Sequence, residues 1–206
     1  IYMLLGPLRH RFTTLERAKE QGIGHYFVPR YTRVVDTAES KDNINKAYNL
    51  ISTSKVRNEM IIDDVITCVA RKQTPVILTR FKEHAKFLHD ALKKKADHVF
   101  LLYGDNSDKE NAEIRVKLKQ IPENESLILV ATGQKIGEGF DFPRLDVLML
   151  AAPVSFEGRL EQYVGRLNRD YVGKEAVYVY DYIDSHVRYF DKMYAKRLRT
   201  YRKMGF

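Results

Sequence analysis

Short apolar runs alternate with amphipathic stretches from about residue 54 onward, and this alternation limits the fold more than any other feature of the sequence. The apolar runs have the length of strands buried on both faces and lie at 75–79, 98–103, 127–132, 147–151 and 176–180. Apolar residues at helical spacing lie between them, as at 54–72, 82–95 and 158–168. The alternation predicts an α/β fold in which helices cover both faces of a parallel sheet.

The first 50 residues do not follow this alternation. Strand-like segments at 1–5 and 25–31 flank a short helical pattern at 14–21. We interpret residues 1–50 as an N-terminal arm, hairpin or linker, belonging partly to a preceding domain, and residues 51–206 as one α/β domain. Because Ile1 lies in a strand pattern, we expect the chain to begin inside a longer protein.

The net charge of +8 is concentrated in one place. Residues 186–206 carry one acid, Asp191, and seven basic side chains, so this segment contributes +6 and the other 185 residues only +2. The basic residues are Arg188, Lys192, Lys196, Arg197, Arg199, Arg202 and Lys203. Apolar residues at helical spacing within the segment predict a helix with one packed face and one basic face. The basic face is either solvated or a non-specific contact for nucleic-acid phosphates.

Composition removes several classes of protein. No apolar run approaches the roughly 20 residues that cross a bilayer, so we expect no membrane partner. The single cysteine, Cys68, excludes an internal disulfide and a cysteine-based metal site, and it fits a cytoplasmic location. The six histidines show no metal-ligand spacing, and we expect most of them at the surface or at helix caps.

A glycine-rich segment follows the strand at 127–132 directly. Gly133, Gly137 and Gly139 allow backbone N–H groups to approach a phosphate closely, and Thr132 can donate its hydroxyl to the same kind of group. Asp141 at the end of the segment can accept hydrogen bonds from ribose hydroxyls. The alternative is a glycine-rich turn that only joins two strands.

A second group of polar residues lies in the helical pattern at 158–168 and just beyond it. Gln162, Arg166 and Arg169 are spaced i, i+4 and i+7, which places them on one helical face. The planar and permanently charged guanidinium matches phosphate oxygens. A phosphate-binding face is one interpretation, and an ordinary solvated basic face is the other.

These two groups, with Gln162 following 21 positions after Asp141, resemble motifs V and VI of superfamily 2 helicases. The run Val76-Ile77-Leu78-Thr79-Arg80 is similar to motif IV. The segments Leu5-Gly6-Pro7-Leu8-Arg9-His10 and Pro29-Arg30-Tyr31-Thr32 are similar to bacterial DEAD/DEAH-type DNA helicases of restriction and conflict systems. The resemblance implies a RecA-like sheet and the second motor domain of an ATP-dependent DNA helicase or translocase. Tyr163 departs from it, because many relatives carry an arginine there.

The resemblance also implies a role for each matching residue. Arg166 and Arg169 would be arginine fingers for the γ-phosphate, with Gln162 ordering the same site. Gly137, Gly139 and Asp141 would lie at the nucleotide, with Asp141 near the ribose. The phosphate backbone of the tracked strand would be contacted by Thr79, Arg80, Thr132 and Gly133.

The 206 residues contain no Gly-x-x-x-x-Gly-Lys-Ser/Thr sequence for binding ATP phosphates. The resemblance therefore implies that ATP and Mg²⁺ are held mainly by a first RecA-like domain of the same parent chain, and that this chain alone does not hydrolyse ATP. The expected partners are that domain and DNA, with RNA possible. Two alternatives remain open: a non-catalytic RecA-like module that binds nucleic acid or protein, and part of an RNA helicase.

Overall fold

Six parallel strands form one sheet in the order β1-β6-β5-β2-β4-β3. The computed structural model describes residues 22–104, 106–133, 141–154, 157–169 and 171–206. The strands are β1 (Gly24–Tyr31), β2 (Pro75–Thr79), β3 (His98–Leu102), β4 (Leu127–Thr132), β5 (Val147–Leu150) and β6 (Ala176–Ile183). The parallel α/β architecture predicted from the alternation is confirmed.

Six helices are described. They are α1 (Ile44–Thr53), α2 (Lys55–Ala70), α3 (Lys82–Leu92), α4 (Asp108–Gln120), α5 (Glu157–Leu167) and α6 (Arg188–Met204). Helix α1 was not anticipated from the sequence. Its N-cap is Asn43, whose side-chain oxygen accepts hydrogen bonds from the backbone N–H groups of Asn45 and Lys46.

The helices form a layer on each side of the sheet. Leu118 of α4, Leu160 of α5 and Tyr201 of α6 belong to one buried apolar cluster. Ile61 of α2 and Leu88 of α3 belong to the cluster on the other face. Strands β4 and β5 are fully buried along almost their whole length because both faces are covered.

Strand β1 changes the interpretation of the N-terminal region. It pairs in parallel with β6 over its whole length, from Gly24 opposite Ala176 to Tyr31 opposite Ile183. Residues 24–31 are therefore an edge strand of the domain's own sheet rather than part of a separate arm or hairpin. The predicted strand at 1–5, the predicted helix at 14–21 and the segment Leu5–His10 lie outside the described residues.

Strand β6 extends beyond the predicted end at residue 180 because the acidic Asp181 is paired with an arginine and can be buried. Asp181 and Asp184 are almost fully buried, at 0% and 1% exposure. Arg197 of α6 donates two hydrogen bonds to Asp181, at 2.7 and 2.9 Å. Arg57 of α2 donates two to Asp184, at 2.9 and 3.1 Å. Two buried ion pairs thus fasten a helix from each layer to the end of one central strand.

We expect Arg57→Met to lower the free energy of unfolding by about 3–5 kcal/mol, because it leaves the Asp184 carboxylate buried without its partner. Urea denaturation of the 206-residue chain measures this. The control is Lys55→Met on the same helix, which breaks an exposed pair with Glu59 and should cost less than about 1 kcal/mol. Equal losses in the two variants would contradict the role assigned to the buried pair.

Candidate functional site

The residues predicted to contact nucleic acid meet at the carboxyl edge of the sheet. Strands β2 and β4 are neighbours, and their register places Thr79 directly opposite Thr132. Arg80 follows the end of β2 directly, and Gly133 follows the end of β4. Residues more than 50 positions apart in the chain are therefore adjacent at an edge where open α/β sheets bind ligands.

Arg80 is exposed and rests on an aromatic side chain of α1. Its guanidinium carbon lies 4.4 Å from the centre of the Tyr48 ring, within the range of a cation–π contact. The Tyr48 hydroxyl donates a 2.8 Å hydrogen bond to the carbonyl oxygen of Pro153. Burial raises the pKa of Tyr48, so this hydroxyl keeps its proton at neutral pH. Tyr48 of α1 thereby supports the exposed guanidinium of Arg80 at the carboxyl edge of the sheet.

Thr79 is buried, and its hydroxyl belongs to an internal chain of hydrogen bonds. Its oxygen lies 2.7 Å from Nδ1 of His84, and Nε2 of His84 lies 2.9 Å from the side-chain oxygen of Asn58. The Asn58 amide donates to the carbonyl oxygen of Ser52, so its oxygen faces the imidazole as an acceptor. His84 therefore donates from Nε2, and Thr79 donates its hydroxyl hydrogen to Nδ1.

This arrangement separates Thr79 from the other predicted nucleic-acid contacts. Thr79 is only 3% exposed and its one hydroxyl hydrogen is used by His84. In this structure it is a partner of His84, and its contact with a nucleic-acid phosphate stays a prediction. Thr132 and Gly133 are partly exposed and Arg80 is exposed, so these three carry the accessible donors of the edge.

Gly133 joins this edge to α5 through Tyr163. The buried Tyr163 hydroxyl donates a 2.9 Å hydrogen bond to the Gly133 carbonyl oxygen. A β-carbon at Gly133 would lie 2.5 Å from that hydroxyl oxygen, so a larger residue does not fit beside it. The tyrosine that departs from the helicase pattern therefore links the end of β4 to the helix that carries the predicted arginine fingers.

The two predicted motifs also meet at Asp141 and Arg169. Arg169 lies two residues beyond the end of α5, and its Nε is 3.5 Å from a carboxylate oxygen of Asp141. Both side chains are more than half exposed, so the ion pair is weak and open to exchange with a ligand. The predicted nucleotide contacts Gly137 and Gly139 lie outside the described residues.

Positive charge accumulates around Arg166, which is partly buried on α5. Burial lowers the pKa of Arg166 most strongly, and the like charges of Arg169 and Arg115 act in the same direction. The Asp141 carboxylate opposes them. The guanidiniums of Arg166, Arg169 and Arg115 therefore lie close enough to act on one another, and such groups match phosphate oxygens. Gln162 lies on the same helix and is exposed.

The described residues contain no group of three or more His, Cys, Asp or Glu side chains placed to hold a metal ion. Among them, no helix is both long and apolar enough to cross a membrane.

Four residues of this region were not found from the sequence. The sequence gives Tyr48 no role and marks Tyr163 only as a departure from the helicase pattern, and most histidines, His84 among the six, are expected at the surface or at caps. Arg115 lies on α4, far in sequence from the arginines it faces electrostatically. The spacing of Thr79 and His84 at the start of a helix was the one available signal, because it places a side chain of the first turn near the strand end.

Comparison with known families gives the class of the domain. Residues 56–170 match the family model described as the helicase conserved C-terminal domain, which is more than half of the chain. The chain belongs to this family, and it is a superfamily 2 helicase C-terminal domain. The crystal structure of T4 UvsW superposes with a TM-score of 0.67 at 20% identity, over 90% of this chain and 40% of that one. The predicted RecA-like fold is thereby confirmed.

Curated proteins with similar sequences include viral proteins. Transcript termination protein A18 of Yaba-like disease virus is 28% identical over 172 residues, covering 78% of this chain and 35% of that protein. The putative helicase 161L of Invertebrate iridescent virus 6 is 34% identical over 118 residues, covering 56% of this chain and 22% of that protein. The chain thus spans about a third or less of these relatives. The closer likeness to bacterial restriction and conflict-system helicases is not supported.

We expect Gly133→Ala to destabilise the domain by about 1–3 kcal/mol, because its methyl group meets the Tyr163 hydroxyl. In a Tyr163→Phe background the same change should cost much less, since the nearest remaining ring atom is 3.5 Å from the new carbon. A double-mutant cycle in urea measures the coupling. Additive costs would contradict the close contact between β4 and α5.

We expect the buried His84 to make the domain less stable in mild acid. Burial, assisted by the charge of Arg57, lowers the pKa of His84 to about 3, whereas the unfolded imidazole titrates near 6.5. Between these values only the unfolded chain binds the proton, so the free energy of unfolding falls as pH is lowered through this range. The expected loss is about 1.6 kcal/mol between pH 6.5 and pH 5.

Denaturant unfolding at several pH values measures this loss. His84→Gln should remove that part of the pH dependence although it also lowers stability at pH 7. The control, His186→Gln, changes an exposed imidazole and should keep the wild-type slope. An unchanged slope in His84→Gln would refute the neutral, buried state of His84.

Proposed function

We propose that this chain is the second motor domain of an ATP-dependent DNA helicase or translocase. In the complete protein, ATP and Mg²⁺ are held mainly by a first RecA-like domain, and this chain supplies arginines to the nucleotide and contacts to the nucleic-acid backbone. The observation that carries the proposal is that the two helicase motifs meet at the exposed pair of Arg169 and Asp141, within electrostatic reach of Arg166.

The arginines have the chemistry that phosphoryl transfer requires. Arg166 and Arg169 present guanidiniums to a phosphate chain whose negative charge increases on the leaving and transferred oxygens. Gln162 orders the same site by hydrogen bonding. Asp141 accepts from the ribose hydroxyls, and Gly137 and Gly139 let the backbone approach the nucleotide. Since Asp141 and Arg169 form an exposed pair, a bound nucleotide can replace it without breaking a buried contact.

The nucleic-acid strand is contacted at the carboxyl edge of the sheet. Arg80 binds a phosphate as a point of positive charge held by Tyr48, and Thr132 with Gly133 donates hydrogen bonds beside it. Thr79 supports this edge through His84. The hydrogen bond from Tyr163 to Gly133 gives a short mechanical connection between the strand contacts and the arginines of α5.

A second candidate comes from the relatives named transcript termination proteins. In that case the motor acts on transcription complexes, and the tracked strand is DNA or RNA. The phosphate contacts described above suit both, because none of them reads a base or a 2′-hydroxyl. Comparing ATPase stimulation by single-stranded DNA, duplex DNA and RNA separates the two candidates.

We expect Arg166→Ala in the complete protein to lower kcat for ATP hydrolysis by about 10³- to 10⁵-fold, the usual contribution of an arginine finger. Arg166→Lys should recover little, because an ammonium lacks the planar fork. Steady-state ATPase assays with saturating nucleic acid measure the effect, and nucleic-acid affinity measured without ATP should stay close to wild type.

Arg71→Ala is the matched control, since it removes an exposed guanidinium that follows α2 at the opposite, amino edge of the sheet. Its ATPase activity should equal that of the wild type. A change in Arg166→Ala of less than about twofold would rule out the arginine-finger role and favour a non-catalytic binding module.

A further inference from the structure

Six basic side chains form one continuous stripe along α6. At 3.6 residues per turn they fall within an arc of about 120°, and at 1.5 Å per residue they extend over about 22 Å of the helix. All six are exposed: Arg188, Lys192, Lys196, Arg199, Arg202 and Lys203. We call this surface the basic stripe.

The stripe lies opposite the packed face of the helix. Phe190, Tyr201 and Met204 are buried in the core, at 2% exposure or less. Arg197, the seventh basic residue of the segment, lies on that buried face and is held by Asp181. The packed face therefore fixes the stripe outward on a rigid element, and the seventh basic residue is structural rather than part of the surface.

Apart from Arg202 and Lys203, which lie in the last turn where the helix dipole favours cations, the charges of the stripe do not stabilise the helix. Like charges at i, i+3 and i, i+4 repel each other, and the stripe contains several such pairs, including Arg188 with Lys192 and Lys192 with Lys196. Asp191, the one acid of α6, falls just outside the arc. Lys203 pairs with Glu161 at 3.4 Å, and among the described residues no salt bridge reaches the other five. A self-repelling arrangement of this kind suits an external polyanion better than a solvated face.

The stripe begins beside the candidate nucleic-acid edge. Helix α6 follows the carboxyl end of β6, and Tyr48 connects its first turns to Arg80. The Tyr48 and Phe190 ring centres are 4.8 Å apart, and the Tyr48 hydroxyl oxygen is 3.7 Å from the sulfur of Met193. One aromatic side chain therefore separates Arg80 from α6.

The stripe also runs to the far side of the domain. Near its other end, the Met204 carbonyl oxygen lies 3.2 Å from the ring of His25, close to the start of β1. It thus passes from the carboxyl edge of the sheet to the amino edge. This course lies outside the path of the tracked strand, which is proposed to cross the ends of β2 and β4.

We propose that the basic stripe binds the phosphate backbone of a nucleic-acid duplex outside that path, which rests on the function proposed above. A stripe of about 22 Å spans about six base pairs at 3.4 Å each, and the duplex carries one charge per roughly 1.7 Å of axis. Only lysine and arginine project from it, so the binding is independent of base sequence. An anionic membrane fits less well, because the apolar face that an interfacial helix inserts is already buried.

The test is the binding of the full chain to a mixed-sequence DNA duplex at salt concentrations between about 50 and 200 mM. Arg188→Gln, Lys192→Gln and Arg199→Gln are combined in one variant. Each lost phosphate contact lowers the slope of log K against log salt by about 0.9, so the slope should fall by about 2–3. Affinity at the lowest salt concentration should fall at least about tenfold.

The matched control combines Lys94→Gln, Lys95→Gln and Lys119→Gln. It removes the same charge from exposed positions at the C-terminal ends of α3 and α4, at the amino edge of the sheet. Its slope should match the wild type. Equal changes in the two triple variants, or no binding of duplex by the wild type, would overturn the proposal.

Two further measurements settle the class of partner and separate this proposal from the motor function. Equal loss of binding to phosphatidylserine-rich vesicles or to polyglutamate would overturn a nucleic-acid site in favour of a general anion surface. In the complete protein, the α6 variant should keep the basal ATPase rate measured without nucleic acid. If Arg166→Ala leaves hydrolysis unchanged while the α6 variant still loses duplex affinity, the motor function fails and the duplex site stands.

Discussion

The buried ion pairs at the end of β6 determine how the rest of the site is held. Arg57 and Arg197 neutralise two buried carboxylates, and each donates a further N–H group to a backbone carbonyl. Arg57 uses it on the carbonyl oxygen of Ala151 at 2.8 Å, and Arg197 uses it on that of Val154 at 3.2 Å. Both acceptors lie in the segment that leaves β5 and leads to α5. The two arginines that neutralise the carboxylates at the end of β6 thus also hold the segment that leads to α5.

The Tyr48 hydroxyl binds the same segment between these two arginines, at the carbonyl oxygen of Pro153. Helices α1, α2 and α6 therefore converge on residues 151–154, each through one polar side chain. The ring of Tyr48 supports Arg80 on its other side. A displacement of this segment would therefore move Arg80 and the start of α5 together.

The order of strands and helices along the chain could be predicted because it depends on local patterns. The pairing of Thr79 with Thr132 could not, because local patterns do not say which strands are neighbours. Other features depended on distant partners. The last residues of β6 are not predicted, because an aspartate normally ends an apolar strand. Asp181 can be buried in the strand only because Arg197, distant from β6 in the local pattern, pairs with it. The sequence of β1 does not predict a strand of this sheet, because its half-buried edge pattern, interrupted by Pro29, lacks the continuous apolar run of the inner strands.

The neighbours Thr79 and Arg80 show why residue type alone does not assign a role at this edge. Both are polar and follow a buried strand, yet one closes an internal hydrogen-bond chain and the other faces outward on an aromatic ring. The same division holds on α6. Arg197 is paired with the buried Asp181, whereas Arg199, two residues further along, is exposed. A cation next to a buried carboxylate is already compensated, whereas a cation without one keeps its full attraction for phosphate. Sorting the basic residues by their internal partners, rather than by their number, therefore identifies the surface on which a polyanion can bind.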